Sequence, residues 1–261
     1  MKIIMLGEIV GRAGIQGIKE IFLPYKQKAK PDLVIANAEG TTNGYGLGSQ
    51  HAMQLFKYGL DVLTGGEKIF FKPDMQEFVT HKDRVLRPAN LPEAAPGKGV
   101  KYIDAAGKRV MICNLIGLSD FSQTHANNPY SLAKNLMEKS QDCAVKIISY
   151  HASTTAEKLT MGFMLDGQAT IVAGTHCKAL SADARILEKG TAYITDLGLC
   201  GAFDSVGGFD PAPEIEKYIK ALPIRSQESF SDIRIQGIEV DTDDDGEPIS
   251  IATLNLRKED V

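Results

Sequence analysis

Four apolar runs in this sequence each end in a side chain that can bind a cation or move a proton. Lys2-Ile3-Ile4-Met5-Leu6-Gly7 leads to Glu8, and Asp32-Leu33-Val34-Ile35-Ala36-Asn37-Ala38 leads to Glu39. Ile147-Ile148-Ser149-Tyr150 leads to His151, and Val172-Ala173-Gly174-Thr175 leads to His176. Short apolar runs bounded by turn residues are the pattern of buried strands, so all four side chains are expected at strand ends. Two imidazoles and two carboxylates gathered at one sheet edge suit a divalent metal and hydrolytic chemistry.

Three further residues belong with this set. Glu67 closes the turn Thr64-Gly65-Gly66-Glu67, Lys178 stands two residues beyond His176, and Asn43 precedes Gly44-Tyr45-Gly46-Leu47-Gly48. Glycines so closely spaced indicate a tight turn beside a ligand or another backbone, and Asn43 serves there either as a turn residue or as a substrate contact. The loop Gly7 to Gly14 is also glycine-rich but fits neither GxGxxG nor GxxxxGK[ST], which argues against a dinucleotide fold or a P-loop. His51, His81 and His125 are expected at the surface or in caps.

The elements that must position these groups alternate along the chain. A helix is expected over about 15–28, with Ile18, Ile21, Phe22 and Tyr25 at helical spacing and Pro31 ending it. Strand 33–36, a helix at about 49–58 and a short strand 62–64 follow. Residues 87–99, rich in proline and glycine, are expected to form a surface excursion. Strands 101–104 and 109–115 form a hairpin across Ala106-Gly107-Lys108. Helices are expected over 130–140 and 154–164, a strand over 191–195, and a final pair of strands over 232–240 and 248–256 around the acidic turn 241–246. The expected architecture is an α/β sandwich of mixed sheets in one domain, residues 1–261, with no internal repeat.

With 261 residues, 43% hydrophobic and 24% charged, the chain has the composition of a soluble globular protein. A formal net charge of -4 argues against a broad nucleic-acid surface. No apolar run approaches the roughly 20 residues of a membrane span. The N-terminus enters a strand pattern without a signal-peptide layout, so a cytoplasmic location is expected. Cys113, Cys143, Cys177 and Cys200 form no CxxC pair and are expected as reduced thiols.

Taken in order, Gly7-Glu8, Asn37-Ala38-Glu39, Thr64-Gly65-Gly66-Glu67, Tyr150-His151-Ala152 and Gly174-Thr175-His176-Cys177-Lys178 resemble the motifs of the calcineurin-like metallophosphoesterases, more narrowly their bacterial YmdB-type branch. Arg87-Pro88-Ala89-Asn90, Ala95-Pro96-Gly97-Lys98-Gly99, Ala156-Glu157-Lys158, Ala182-Asp183 and Gly190-Thr191-Ala192-Tyr193-Ile194-Thr195-Asp196 extend the similarity over nearly the whole chain. The resemblance implies a four-layer αββα sandwich of two mixed sheets and a two-metal site between them. It also implies hydrolysis of 2′,3′- or 3′,5′-cyclic nucleotides or similar small phosphodiesters, and a homo-oligomer.

The departures from that pattern bear on the chemistry. Glu8 stands for an aspartate and Gly40 for an asparagine; Gly66-Glu67 replaces Asn-His, and Lys178 replaces a ligand histidine. In a complete site, two cations about 3.5–4 Å apart clamp the phosphoryl oxygens during in-line attack. By the resemblance, one would be held by Glu8, Glu39 and the position of Lys178. The other would be held by Glu39, His151, His176 and the position of Gly66. An ammonium has no lone pair and repels a cation, so a second metal is not expected. One divalent metal (Mn, Fe or Zn) is expected on Glu39, His151 and His176, with Glu67 as a replacement carboxylate and Glu8 alongside.

Lys178 is expected to place its charge where the other cation would lie, pairing Glu8 and Glu39, and to meet a substrate phosphate as a point charge. Glu67 occupies the place of the histidine that assists the leaving group. It can donate a proton only if its pKa is raised. Two functions stay open on these residues. One is a phosphodiesterase with a remodelled one-metal site acting on a nucleotide or other phosphodiester. The other is an inactive pseudo-phosphoesterase serving as a nucleotide-binding or regulatory interaction module.

Overall fold

The computed structural model describes residues 1–121 and 124–261. Along the chain come β1 (Lys2–Ile9), α1 (Gly11–Gly17), a π-helical turn (Ile18–Phe22), α2 (Leu23–Ala29), β2 (Leu33–Asn37), α3 (Ser49–Lys57), β3 (Val62–Thr64), α4 (Pro73–His81) and β4 (Val85–Leu86). Next are β5 (Val100–Ala105), β6 (Lys108–Ile116), α5 (Pro129–Lys139), β7 (Val145–His151), α6 (Thr155–Met164), β8 (Ile171–Thr175), β9 (Arg185–Ile186) and β10 (Ala192–Ile194). The chain then returns through β11 (Leu199–Ala202), α7 (Pro211–Lys220), β12 (Ile233–Thr242) and β13 (Pro248–Leu256). One sheet has the order β13-β12-β11-β1-β2-β3-β4 and the other β5-β6-β7-β8-β10-β9. Both are mixed: β1–β2–β3–β4 and β6–β7–β8–β10 run parallel, while β12–β13 and β5–β6 are antiparallel.

Side-chain alternation along the strands explains the layers. Ile3, Met5, Leu33 and Ile35 of the first sheet pack with Val110, Ile112, Val145, Ile147, Ile171 and Ala173 of the second, forming the core between the sheets. Ile4, Leu6, Val34 and Ala36 face the other way, onto Ile18, Ile21, Phe22 and Leu55 of the helical layer. Met111, Cys113, Ile148 and Tyr150 pack on Ala133, Met137 and Met161 of α5 and α6. This is the expected αββα arrangement of two mixed sheets.

The same alternation turns polar at one end of the inter-sheet layer. Following the inward parity of Ile35, Val62, Ile112, Ile147 and Ala173, the C-terminal strand ends present Asn37, Thr64, Asn114, Ser149, His151 and Thr175, all buried. Glu8 joins them through a register shift between Leu6 and Glu8, which pairs Glu8 rather than Gly7 with Asn37. A bulge of this kind re-aims one side chain without ending the strand.

Several expectations change. Residues 87–99 are not wholly a surface excursion: Arg87 and Asn90 are buried, and Asn90 bonds the backbone of Ile116 and Asn127. Helices α4 and α7 were not signalled by periodicity. Both begin with proline, which breaks a helix interior but suits its first turn. The Ala106-Gly107 turn has positive φ at both residues and joins β5 to β6 with Ala105 opposite Lys108, as a two-residue hairpin requires. Among the described residues, no helix is long and apolar enough to cross a membrane.

Candidate metal centre

His151, the last residue of β7, is fully buried at the polar end of the inter-sheet layer. Its Nδ1 lies 2.9 Å from Thr175 Oγ1, which also accepts from Asn37 Nδ2 at 3.2 Å. Its Nε2 lies 2.8 Å from Glu67 Oε2 and 3.1 Å from His176 Nδ1. Burial alone would lower the His151 pKa, but the Glu67 hydrogen bond and the charges of Glu39, Glu67 and Glu8 raise it. Gly66 lies directly against this ring: a Cβ there would run into Cδ2 and Nε2 of His151. The glycine in the Thr64-Gly65-Gly66-Glu67 turn therefore admits the imidazole.

Glu67 is held from both sides. Its Oε1 accepts from Lys68 Nζ at 2.6 Å while Oε2 meets His151. Burial would raise its pKa, but hydrogen bonds from His151 and Lys68 together with their charges hold it well below the usual carboxylate range. Glu67 is thus ionised at neutral pH. The condition for proton donation, a raised pKa, is not met.

His176 follows β8 with φ of 103°, a left-handed conformation that a non-glycine residue adopts only when its surroundings impose it. The constraint comes from Asp196, whose carboxylate accepts from Cys177 N at 2.9 Å, Gly198 N at 3.0 Å and buried Lys158 Nζ at 2.7 Å. Burial and the neighbouring His151 push the His176 pKa down to about 4, so its ring is neutral at pH 7 and keeps a lone pair. Phe121 stands edge-on to it at 5.1 Å between ring centroids and 5.8 Å from His151. The Lys158–Asp196 anchor and Phe121 were missed from sequence. An Ala156-Glu157-Lys158 motif and a strand-terminal Asp196 were visible signals, but nothing local showed that they meet.

The two other carboxylates take different partners. Glu39 is fully buried, and its two oxygens accept from the backbone N–H groups of Gly66 and Lys68. Burial pushes its pKa up to about 7, against the opposing effects of His151 and the two amides. Glu8, also buried, pairs through Oε1 with Lys178 Nζ at 3.3 Å. That oxygen has no hydrogen bond of good geometry, so the contact is a charge pair rather than a directed bond. Lys178 therefore pairs Glu8 as expected but not Glu39, whose oxygens are taken by amides of the β3 turn. Asn43 stands apart on an exposed turn, with φ of 57°.

The donor set passes a chemical test for one divalent cation. Glu67, His151 and His176 each offer a ligand atom, all within 4.8 Å of one another. Two imidazole nitrogens and a carboxylate oxygen converge without enough protons to satisfy every contact, and such a set suits Zn or another first-row metal with an open position. Around Glu8 the fit fails for a second cation, because an ammonium occupies the charge position.

A family model described as YmdB-like protein matches residues 4–254 of this chain. A Bacillus subtilis (strain 168) protein named 2′,3′-cyclic-nucleotide 2′-phosphodiesterase is 36% identical over 245 residues, which are 94% of this chain and 92% of that protein. The crystal structure of a novel phosphatase from Mycoplasma pneumoniae superposes with a TM-score of 0.92 at 32% identity, covering 98% of this chain and 94% of that one. A hypothetical protein from Thermus thermophilus gives a TM-score of 0.89 at 25% identity, covering 98% of each chain.

Proposed function

The chain belongs to the YmdB-like family, and we propose that it is a phosphodiester hydrolase with a remodelled, one-metal site acting on a 2′,3′- or 3′,5′-cyclic nucleotide or a similar small phosphodiester. The observation that carries this reading is the convergence of Glu67, His151 and His176 at the polar end of the inter-sheet layer. These three residues would hold a divalent cation (Mn, Fe or Zn), which when bound supplies Lewis-acid polarisation of a phosphoryl oxygen.

The chain's own groups do the rest. Thr175 and Glu67 fix the His151 ring from its two nitrogens. Lys68 and Lys178 place ammonium groups beside the carboxylates, where they can meet phosphoryl oxygens as point charges. Phe121 covers the histidine pair and excludes water from that side. Ionised Glu67 donates no proton to a departing alkoxide, so the reaction favours substrates whose leaving group needs little protonation.

A second reading follows from another observation. With Glu8 paired to Lys178 and Glu39 satisfied by amides, both buried carboxylates are accommodated without a cation. That favours a non-catalytic nucleotide-binding or regulatory module. Metal content per chain, measured by elemental analysis before and after soaking with Mn, Fe(II) or Zn, separates the two. One equivalent, lost in His151→Ala, with turnover of 2′,3′-cyclic AMP supports the hydrolase. No metal under any condition, with no turnover, supports the module.

A further inference from the structure

The protein has a cleft of about 800 Å³, within the range of small-ligand sites. Arg12, Asn43, Tyr45, Phe209, Lys217 and Arg225 line it. The segment 205–209 joins this cleft to the phosphoryl side of the site. A Cβ on Gly207 would lie 3.6 Å from Cδ of Lys178, and both residues border a smaller hollow of about 390 Å³, whereas Phe209 lines the larger cleft.

The backbone is shaped to keep an aromatic pair together here. Gly44 has φ of 76°, and a Cβ on it would run into the Phe209 ring. Tyr45, 48% exposed, then stands with its ring centroid 6.3 Å from that of Phe209 and tilted by 35°. An exposed Tyr45 ring beside the half-buried Phe209 ring forms a stacking shelf for a flat heterocycle. Asn43, at its left-handed φ of 57°, lines the same wall.

The charges complement an anionic ligand. Arg12 is paired with Glu228 at 2.6 Å and Lys217 with Glu214 at 2.7 Å. Arg225 is exposed and has no ion-pair partner among the described residues. The cleft therefore holds an uncompensated guanidinium on a chain whose formal net charge is -4. A flat apolar surface beside a free guanidinium matches a nucleoside phosphate better than a simple phosphate ester.

We propose that this cleft is a nucleoside subsite: the base stacks on Tyr45 and Phe209, Asn43 meets its polar edge or the ribose, and Arg225 takes negative charge. The inference rests on the phosphoesterase reading only for the direction in which the ligand extends, from Lys178 toward Tyr45. It assigns the nucleoside part of the ligand to Tyr45, Phe209, Asn43 and Arg225.

The test is calorimetric binding of adenosine 3′-monophosphate and of inorganic phosphate to EDTA-treated protein, so that hydrolysis is not the readout. The expected result is nucleotide binding at least tenfold tighter than phosphate. Tyr45→Ala and Arg225→Gln should each reduce it about tenfold, in keeping with the loss of one stacked base or one charged contact. Phe163→Ala, an exposed aromatic on α6, should leave it unchanged. All three positions are exposed, so circular dichroism should show native folding in each variant. Equal affinity for nucleotide and phosphate, or unchanged nucleotide affinity in both Tyr45→Ala and Arg225→Gln, overturns the proposal. Tight binding by a metal-loaded protein that hydrolyses nothing would count against the hydrolase and leave the subsite standing.

Discussion

Replacing Lys158 by methionine tests how the fold holds the His176 turn. Lys158 is 1% exposed on α6, and its ammonium lies 2.7 Å from Asp196, itself buried, and 3.3 Å from Cys177 Sγ. Methionine keeps most of the apolar stem but removes the charge. Asp196 is then left buried with only the N–H groups of Cys177 and Gly198. Removing one partner of a buried ion pair destabilises by about 3–5 kcal/mol. Because two backbone donors remain on the carboxylate, the lower end applies, about 3 kcal/mol. For a chain of this size that corresponds to a Tm lower by about 6–12 °C. Urea unfolding of EDTA-treated Lys158→Met, followed by circular dichroism at pH 7, measures the loss.

The double variant Lys158→Met/Asp196→Leu should recover part of that stability, with a coupling energy of about 2 kcal/mol. It should not return to the wild-type value, because Cys177 N and Gly198 N lose their acceptor. The function should follow the same path: a loosened Cys177 turn releases His176 from its left-handed conformation and weakens metal uptake. A Lys158→Met protein within about 1 kcal/mol of wild type would refute the view that this pair anchors the turn.

Other perturbations address the remaining contacts. Gly66→Ala places a Cβ against the His151 ring and should reduce both stability and bound metal, read by thermal melts and elemental analysis. Lys178→Met leaves buried Glu8 without its countercharge and should destabilise by about 1–2 kcal/mol at neutral pH, measured by urea unfolding. Asp183 has a pKa lowered from 3.8: burial opposes ionisation, but hydrogen bonds from Thr195 and Ser181 outweigh it. Its stabilisation is therefore fully present above pH 3.8 and lost as the pH falls through the lowered folded value. Asp183→Asn should flatten that acid limb in melts taken from pH 5 downward. If Glu67 supplies no proton, a bis(p-nitrophenyl) phosphate should be turned over faster than 2′,3′-cyclic AMP by the metal-loaded protein; the reverse order would indicate another acid.

Strand identity and the side chains at strand ends were legible in the sequence because each is a local property. An apolar run such as Ile147 to Tyr150 must be buried, and a polar residue just past it must stand at the sheet's edge. The order of the strand-end motifs carried the family resemblance, which in turn implied two mixed sheets with His151 and His176 as neighbours. The Lys178 charge beside Glu8 followed from the family resemblance, which sets Lys178 at a ligand position next to that carboxylate, although the expected pairing with Glu39 did not form.

Which atom meets which was decided only by the tertiary structure, because it depends on backbone direction in loops that no periodicity describes. Glu39 turns its oxygens onto the amides of Gly66 and Lys68. Glu67 instead reaches His151, and a one-residue bulge brings Glu8 inward. Lys158 and Asp196 lie 38 residues apart and meet only when α6 packs beside the strands. The cleft at Tyr45, Phe209 and Arg225 arises in the same way, where the turn after β2 meets the segments that flank α7.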